Sequence, residues 1–199
     1  MSYVLTADGG TESLRVRIYA LDGTCVASHA ERYETKFLSG ARAEQNAEDW
    51  WFSLVKATNI CLKEANISSD AIDAMAYATT CCTVVALDKV GKPLRPALMW
   101  MDVRANKEAQ AVLDTRDKRL VLNGNGQGPV SAEWMIPKAL WLKRNEPQIF
   151  DDAVTICEYQ DYLTMRLTGE RCASLNNAGL RWHYDNRDGG WATRMIETL

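Results

Sequence analysis

Histidine is scarce in this chain: only His29 and His183 occur in 199 residues. The six cysteines stand at 25, 61, 81, 82, 157 and 172, and no two are spaced Cys-x-x-Cys. Together these shortages argue against a structural zinc site. Long apolar runs are also missing, and none approaches the roughly 20 residues that cross a bilayer. The N-terminus carries no basic-then-apolar leader, so the expectation is a cytoplasmic protein with reduced thiols and no membrane partner. An excess of one charge is absent too. Lys plus Arg number 23 against 26 Asp plus Glu, for a net charge of −3. Nothing global therefore favours nucleic acid or an anionic membrane as a partner, although local basic residues leave small anionic ligands open. Repeats, low-complexity tracts and Pro/Ser-rich linkers are not found.

What is present is globular. The composition is 47% hydrophobic and 25% charged, and the length suits one domain with a sizeable core. The richest stretch is residues 6 to 15. Tyr3-Val4-Leu5 leads into Asp8, followed by Gly9-Gly10-Thr11. Leu14, Val16, Ile18 and Ala20 then alternate with Arg15, Arg17 and Tyr19. Asp22-Gly23 supplies a hairpin turn into Thr24-Cys25-Val26-Ala27. A carboxylate thus ends one strand, and a glycine turn with a hydroxyl leads to the next. Such a turn can aim backbone N–H groups and a Thr hydroxyl at phosphate oxygens. Asp8 can hold Mg²⁺, usually through water. The same residues also suit a plain hairpin closure.

Further along, Asn46 reads as an N-cap with Asp49 three residues on. Trp51, Leu54, Val55, Cys61, Leu62 and Ala65 then fall at roughly helical spacing. Ala74–Ala78 reads as a buried strand and Thr83–Leu87 as the next, closed by a turn at Val90-Gly91-Lys92. Pro93–Pro96 is extended. Ala97–Trp100 reads as a short strand, Arg104–Leu113 as a helix and Asn123–Pro129 as a loop. A helix is predicted from about Pro137 to Asn145, a strand over Val154–Cys157, and a helix from Gln160 to Leu167 stopped by Gly169. The tail from Arg187 is polar and contains glycine. Strand hairpins followed by strands alternating with helices imply an α/β domain with a mixed sheet.

Four patches suit chemistry. Thr80, Cys81, Cys82 and Thr83 are small and weakly polar between two strands, and suit either a pocket wall or strand-end packing. A redox pair of Cys81 and Cys82 is disfavoured, because neighbouring residues in a strand point to opposite faces. Asp102 and Arg104 sit where a strand gives way to a helix; they suit either a polyol or a structural pair at the helix start. Glu133 and Trp134 lie in Ser131–Lys138, where Trp offers a flat face to a sugar and Glu or Lys can bond hydroxyls; Trp there also suits plain core. Arg181 belongs to a polar-aromatic cluster at Asn176–Tyr184, able to pair with an anion or to lie over an aromatic ring.

Asp8-x-Gly10-Thr11-x-Ser13-x-Arg15, followed by a strand and an Asp-Gly turn, resembles the opening of the FGGY family of carbohydrate kinases, within the actin, hexokinase and Hsp70 ATPase superfamily. Leu87-Asp88-x-x-Gly91-x-x-Leu94-Arg95-Pro96-Ala97-x-x-Trp100-x-Asp102-x-Arg104 is similar to a second stretch of that family. The Gln-Met-His-Gly of its xylulokinases falls on Thr80–Thr83 and is absent here. Thr-x-Cys-Thr-Val, Ser131–Lys138 and Glu158-x-x-Asp161-Tyr162-Leu163…Leu167-Thr168-Gly169 are closer to ribulokinases. Arg181 falls where those carry a substrate-contacting Lys.

The resemblance implies a ribonuclease-H-like domain with a mixed sheet, incomplete. Residues 1–199 would form most of an N-terminal, sugar-binding, actin-like domain, with the ATP-holding domain and the catalytic Asp beyond Leu199. It implies a pentulose kinase transferring the γ-phosphate of ATP to a sugar hydroxyl, with a polyol kinase or a non-catalytic sugar-binding module as alternatives. Asp8 would orient Mg²⁺. Gly10, Thr11, Ser13 and Arg15 would face phosphate. Thr80, Cys81, Cys82, Thr83, Asp102, Arg104, Glu133, Trp134 and Arg181 would line the sugar. The chain alone is expected to be inactive, and an exposed sheet edge to favour self-association.

Overall fold

The structure is a computed structural model that describes residues 2–122 and 130–199; the predicted loop at 123–129 lies outside the described residues. The strands are β1 (Tyr3–Gly9), β2 (Ser13–Ala20), β3 (Cys25–Arg32), β4 (Lys36–Leu38), β5 (Arg42–Gln45), β6 (Ile72–Thr79), β7 (Val84–Leu87), β8 (Ala97–Leu98) and β9 (Thr155–Glu158). The helices are α1 (Ala47–Ala65), α2 (Asn106–Asp114), α3 (Met135–Asn145), α4 (Pro147–Asp152), α5 (Tyr159–Thr168), α6 (Leu175–Arg181) and α7 (Thr193–Thr198). The chain divides into two compact units, residues 1–35 with 45–80, and residues 36–44 with 81–199.

The first unit is a four-stranded mixed sheet in the order β3-β2-β1-β6. β1, β2 and β3 pair antiparallel, and β6 runs parallel to β1. Leu14, Val16 and Ile18 alternate inward along β2, as their period of two dictates. They meet Leu54, Ala57 and Cys61 of α1, which packs on β2 and β3. Asn46 caps α1 by accepting the Glu48 N–H at 3.2 Å and bonds Asp49 through its amide at 2.9 Å. Asn66 ends the helix in the left-handed region. Two expectations change here. Trp50, not Trp51, is the fully buried tryptophan of α1. β6 is a strand, but Ala74, Ala76 and Ala78 are exposed rather than buried, because they share the sheet face of the exposed Asp8 and Arg15, opposite the face that Leu5, Ala7 and Val16 turn to the core.

The second unit is a five-stranded sheet in the order β4-β5-β8-β7-β9. β7 is buried along its whole length, flanked by β8 and β9, both antiparallel to it. Its core gathers Val84, Ala86, Leu98, Val112, Trp134, Leu142, Trp182 and Met195. α5 stops at Gly169, whose φ of 80° is the left-handed cap that glycine adopts freely. The strand predicted at Ala97–Trp100 ends at Leu98, and Trp100 lies in a turn. α4, α6 and the short α7 were not anticipated.

Candidate functional site

In the first unit the β1–β2 turn is tied down from several sides. Asp8 is exposed, stands opposite Arg15 of β2, also exposed, and lies beside Ala78 of β6. The Gly10 N–H donates to the Ser13 carbonyl at 2.9 Å. A Cβ built on Gly10 would come within 3.3 Å of that same oxygen, so the turn closes tightly around a glycine. The Tyr33 hydroxyl donates to the Gly10 carbonyl at 2.6 Å. The Gln45 amide donates to the Thr11 carbonyl at 2.5 Å and to the Thr35 hydroxyl at 2.7 Å, and accepts from the Trp50 indole at 2.9 Å. Because a trans peptide sets C=O and N–H on opposite sides, anchoring the Gly10 and Thr11 carbonyls turns the Thr11 and Glu12 N–H groups the other way. The turn is therefore held in one shape by Tyr33 and Gln45, with the exposed Asp8 carboxylate at the end of β1 beside it. Thr80, also in this unit, donates its N–H to the Gly9 carbonyl at 2.9 Å.

Gln45 had no signal in the sequence as a supporting residue. Replacing it with leucine removes all three of its bonds from a buried position at nearly constant volume. The expected loss is about 1–3 kcal/mol of unfolding free energy, read by urea titration.

In the second unit, Cys81, Cys82 and Thr83 form a turn rather than strand, which replaces the opposite-faces argument made for the two cysteines. Cys82 is buried and has φ of 62°, a left-handed conformation costly for a residue with a Cβ. Its N–H donates to Glu158 Oε2 at 2.7 Å. Its carbonyl accepts from Lys138 Nζ at 2.8 Å, and the same ammonium donates to the Met99 carbonyl at 2.6 Å. Glu158 also accepts from the Asn177 amide at 2.9 Å and the Trp182 indole at 2.6 Å. A reciprocal capping box at the start of α5 links it to Asp161. Glu158 and Lys138 are both fully buried. Burial pushes the Glu158 carboxyl up to about 7 and pulls the Lys138 ammonium down to about 8. Burial likewise pushes the Cys82 thiol up, which keeps it neutral. The Thr83 hydroxyl accepts the Trp100 N–H at 3.2 Å. The Glu-x-x-Asp spacing ahead of a helix was the one sequence signal for Glu158; Asn177 and Trp182 gave none as its partners.

Asp102 and Arg104 pair with each other. Arg104 Nε lies 2.9 Å from Asp102 Oδ1 and its Nη2 2.7 Å from Oδ2, and Asp102 also accepts the Ala43 N–H at 2.8 Å. Arg104 reaches Glu44 at 2.8 Å, Arg95 joins the same Glu44 at 2.6 Å, and Arg104 stacks over Trp141 at 4.9 Å. Burial alone would raise the Asp102 carboxyl, but the Arg104 and backbone hydrogen bonds together hold it below the usual range. The two side chains thus form the structural pair at the start of α2 that their spacing allowed.

Trp134 and Arg181 come together, with the guanidinium 5.3 Å from the ring centroid. The His183 ring meets the same indole edge-on at 5.7 Å. Glu133 is half-buried beside Ser131, whose hydroxyl accepts the Glu133 N–H at 3.2 Å. A cavity of about 490 Å³ elsewhere in this unit is lined by Met135, Ile136, Leu140, Phe150, Ile156 and Trp182 among others. It includes none of the expected sugar residues, and its mainly apolar wall offers few partners for hydroxyls.

Among the described residues no group of three or more His, Cys, Asp or Glu gathers to hold a metal, and no helix is long and apolar enough to cross a membrane. All six cysteines are free thiols.

Comparison with known proteins places the chain. A xylulose kinase of Lactococcus lactis is 28% identical over 201 residues, covering 100% of this chain and 39% of that protein. Ribulokinase 1 of Staphylococcus saprophyticus is 29% identical, covering 95% of this chain and 39% of its own length. The chain thus spans about two fifths of the length of these relatives. The crystal structure of a ligand-bound xylulose kinase from Lactobacillus acidophilus superposes with a TM-score of 0.86 at 18% identity, over 100% of this chain and 40% of that one. That of Plasmodium falciparum glycerol kinase with ADP gives 0.83 at 23%, over 100% and 40%. At those identities the likeness is one of fold alone, and the fold is mixed α/β. The model for the N-terminal domain of FGGY carbohydrate kinases matches residues 3–199, so the chain belongs to the FGGY family of carbohydrate kinases.

Proposed function

We propose that this chain is most of the sugar-binding, N-terminal part of a cytoplasmic kinase that transfers the γ-phosphate of ATP to a hydroxyl of a ketopentose. The observation that carries this reading is the family match over residues 3–199, together with relatives named for xylulose and for ribulose. The β1–β2 turn supports it, since its carbonyls are anchored and its amides turned away, as a phosphate-facing loop requires. In this reading Gly10, Thr11, Ser13 and Arg15 serve phosphate. Asp8 fits Mg²⁺, because a lone exposed carboxylate suits an ion that keeps several waters and takes its other oxygens from phosphate. Bound Mg²⁺ would supply charge neutralisation on the phosphates.

Within the second unit, Cys81, Cys82 and Thr83 form the small, uncharged wall of the sugar pocket, with Glu133, Trp134 and Arg181 adding hydroxyl-bonding and stacking groups. Relatives run to about two and a half times this length, so we expect turnover to need sequence that this chain does not carry.

The test is a coupled ADP-release assay on the protein in its full natural length, offered D-xylulose, L-ribulose, erythritol and glycerol in turn. Turnover on one ketopentose, absent for the 199-residue chain alone, is the expected result. Turnover confined to erythritol or glycerol replaces the sugar with a polyol. Sugar binding without turnover makes the protein a binding module. Asp8→Asn is expected to lower kcat by about a hundredfold or more, while stability stays within about 0.5 kcal/mol because the side chain is exposed.

A further inference from the structure

We infer that Glu158 and Lys138 are positioning residues for the sugar pocket, holding Cys82 by both sides of its backbone so that the Cys81–Thr83 turn keeps a left-handed shape it would not keep alone. This rests on the reading, given above, that the turn faces the sugar. Each acts through the backbone of Cys82.

A residue with a Cβ is unfavourable at φ of 62° and persists there only where its surroundings over-determine it. Here they do. The N–H of Cys82 ends on one oxygen of a buried carboxylate and its C=O on a buried ammonium. Rotation of Cys82 towards the right-handed or extended regions would swing these two groups away from their partners. It would leave a charged acceptor and a charged donor short of one bond each, in a place water does not reach. Neither holder is free to follow. Glu158 is pinned by Trp182 and Asn177. Lys138 is pinned by the Met99 carbonyl. These anchors come from α3, β9 and α6 and from the chain just after β8, elements separated along the sequence, so the turn is fixed by the packed unit rather than by its own residues.

Burying two ionisable side chains to hold one peptide is costly when the core could have been apolar. A role beyond packing follows from where the two bonds end: both meet on the one strained residue of the proposed sugar wall.

The experiment is a calorimetric titration of ketopentose into the protein in its full natural length, wild type first. If wild type binds no ketopentose, the sugar reading of the turn fails and this inference with it. If it binds, Glu158→Gln is expected to weaken binding about tenfold, the scale of one released left-handed residue. Glycine adopts the left-handed region without that cost. The double variant Cys82→Gly/Glu158→Gln is therefore expected to bind within about threefold of Cys82→Gly alone. A merely structural role lowers Tm in Glu158→Gln and leaves the affinity unmoved, or gives no rescue by glycine; either result overturns the inference while the sugar reading stands. Should Glu158→Gln not fold, Cys82→Val carries the same test with the clamp intact. A β-branched residue resists the left-handed region, so its affinity must fall below that of Cys82→Gly, and equal affinities overturn the inference.

Discussion

Asp102→Ala is expected to lower unfolding free energy by about 3–5 kcal/mol, the usual loss when one partner of a buried ion pair is removed. Asp102 is 0% exposed, and the Arg104 side chain it binds is 3% exposed. Without the carboxylate, Arg104 keeps its place over Trp141 and Glu44, which Arg95 already shares. The Ala43 N–H loses its acceptor as well, and with it a tie between β5 and the start of α2. Against a typical total of about 5–15 kcal/mol, this is a large fraction. Urea titration should show a lower midpoint with an unchanged slope, since the surface exposed on unfolding is nearly the same. The acid limb gives an independent reading. The folded carboxyl lies below its ordinary value of 3.8, so the stability it contributes is complete above that value and is lost as pH falls through the lower folded one. Asp102→Ala should therefore lose less stability than wild type on acidification below about pH 4. Parallel acid limbs would mean that the Asp102 pair adds nothing in the folded state.

Much of the fold was legible where local rules and tertiary demands agree. The alternation of Leu14, Val16 and Ile18 marked β2. Asn46 marked the start of α1, and Gly169 the end of α5. The misreadings have physical reasons. Trp50, Trp51 and Phe52 are consecutive, so periodicity alone does not choose the inward ring; the bond from the Trp50 indole to Gln45 does. Ala74, Ala76 and Ala78 look buried by type, but they lie on the sheet face of the exposed Asp8 and Arg15, and apolar character does not record which face is covered. No shift in composition announced that residues 36–44 belong with 81–199, because that grouping is made by strand pairing and not by a linker.

The candidate site divides along the same line. The Gly10-Thr11 turn was legible from residue type and spacing, whereas Cys81–Thr83 read as strand end and forms a turn. What holds them was not. Gln45 lies 34 residues from Thr11, and Glu158 lies 76 from Cys82. Supports at such separations leave no periodic trace in a single sequence, even though they fix the shape of the turns.

Lys138→Met follows from the same supports and is expected to lower unfolding free energy by about 1–3 kcal/mol at neutral pH, the cost of leaving buried acceptors unpaired. Methionine nearly preserves the volume, so the loss is not one of packing. It comes from the Cys82 and Met99 carbonyls losing a charged donor, and from Glu158 losing a nearby positive charge. The pH dependence separates this from an ordinary core defect. Lys138 titrates at about 8 in the folded chain against 10.5 for a free lysine. Between those values the unfolded chain binds more protons, so the term contributed by Lys138 grows more favourable to folding as pH rises. Below about pH 8 the cost of burying the ammonium is constant. The methionine variant lacks this term entirely. The stability gap between wild type and Lys138→Met should therefore widen from pH 7 to pH 10, measured by urea titration at each pH. A gap that stays constant would place the Lys138 amine at an unshifted value and so in contact with water. A gap that is already zero at pH 7 would mean that the two carbonyls do not depend on it.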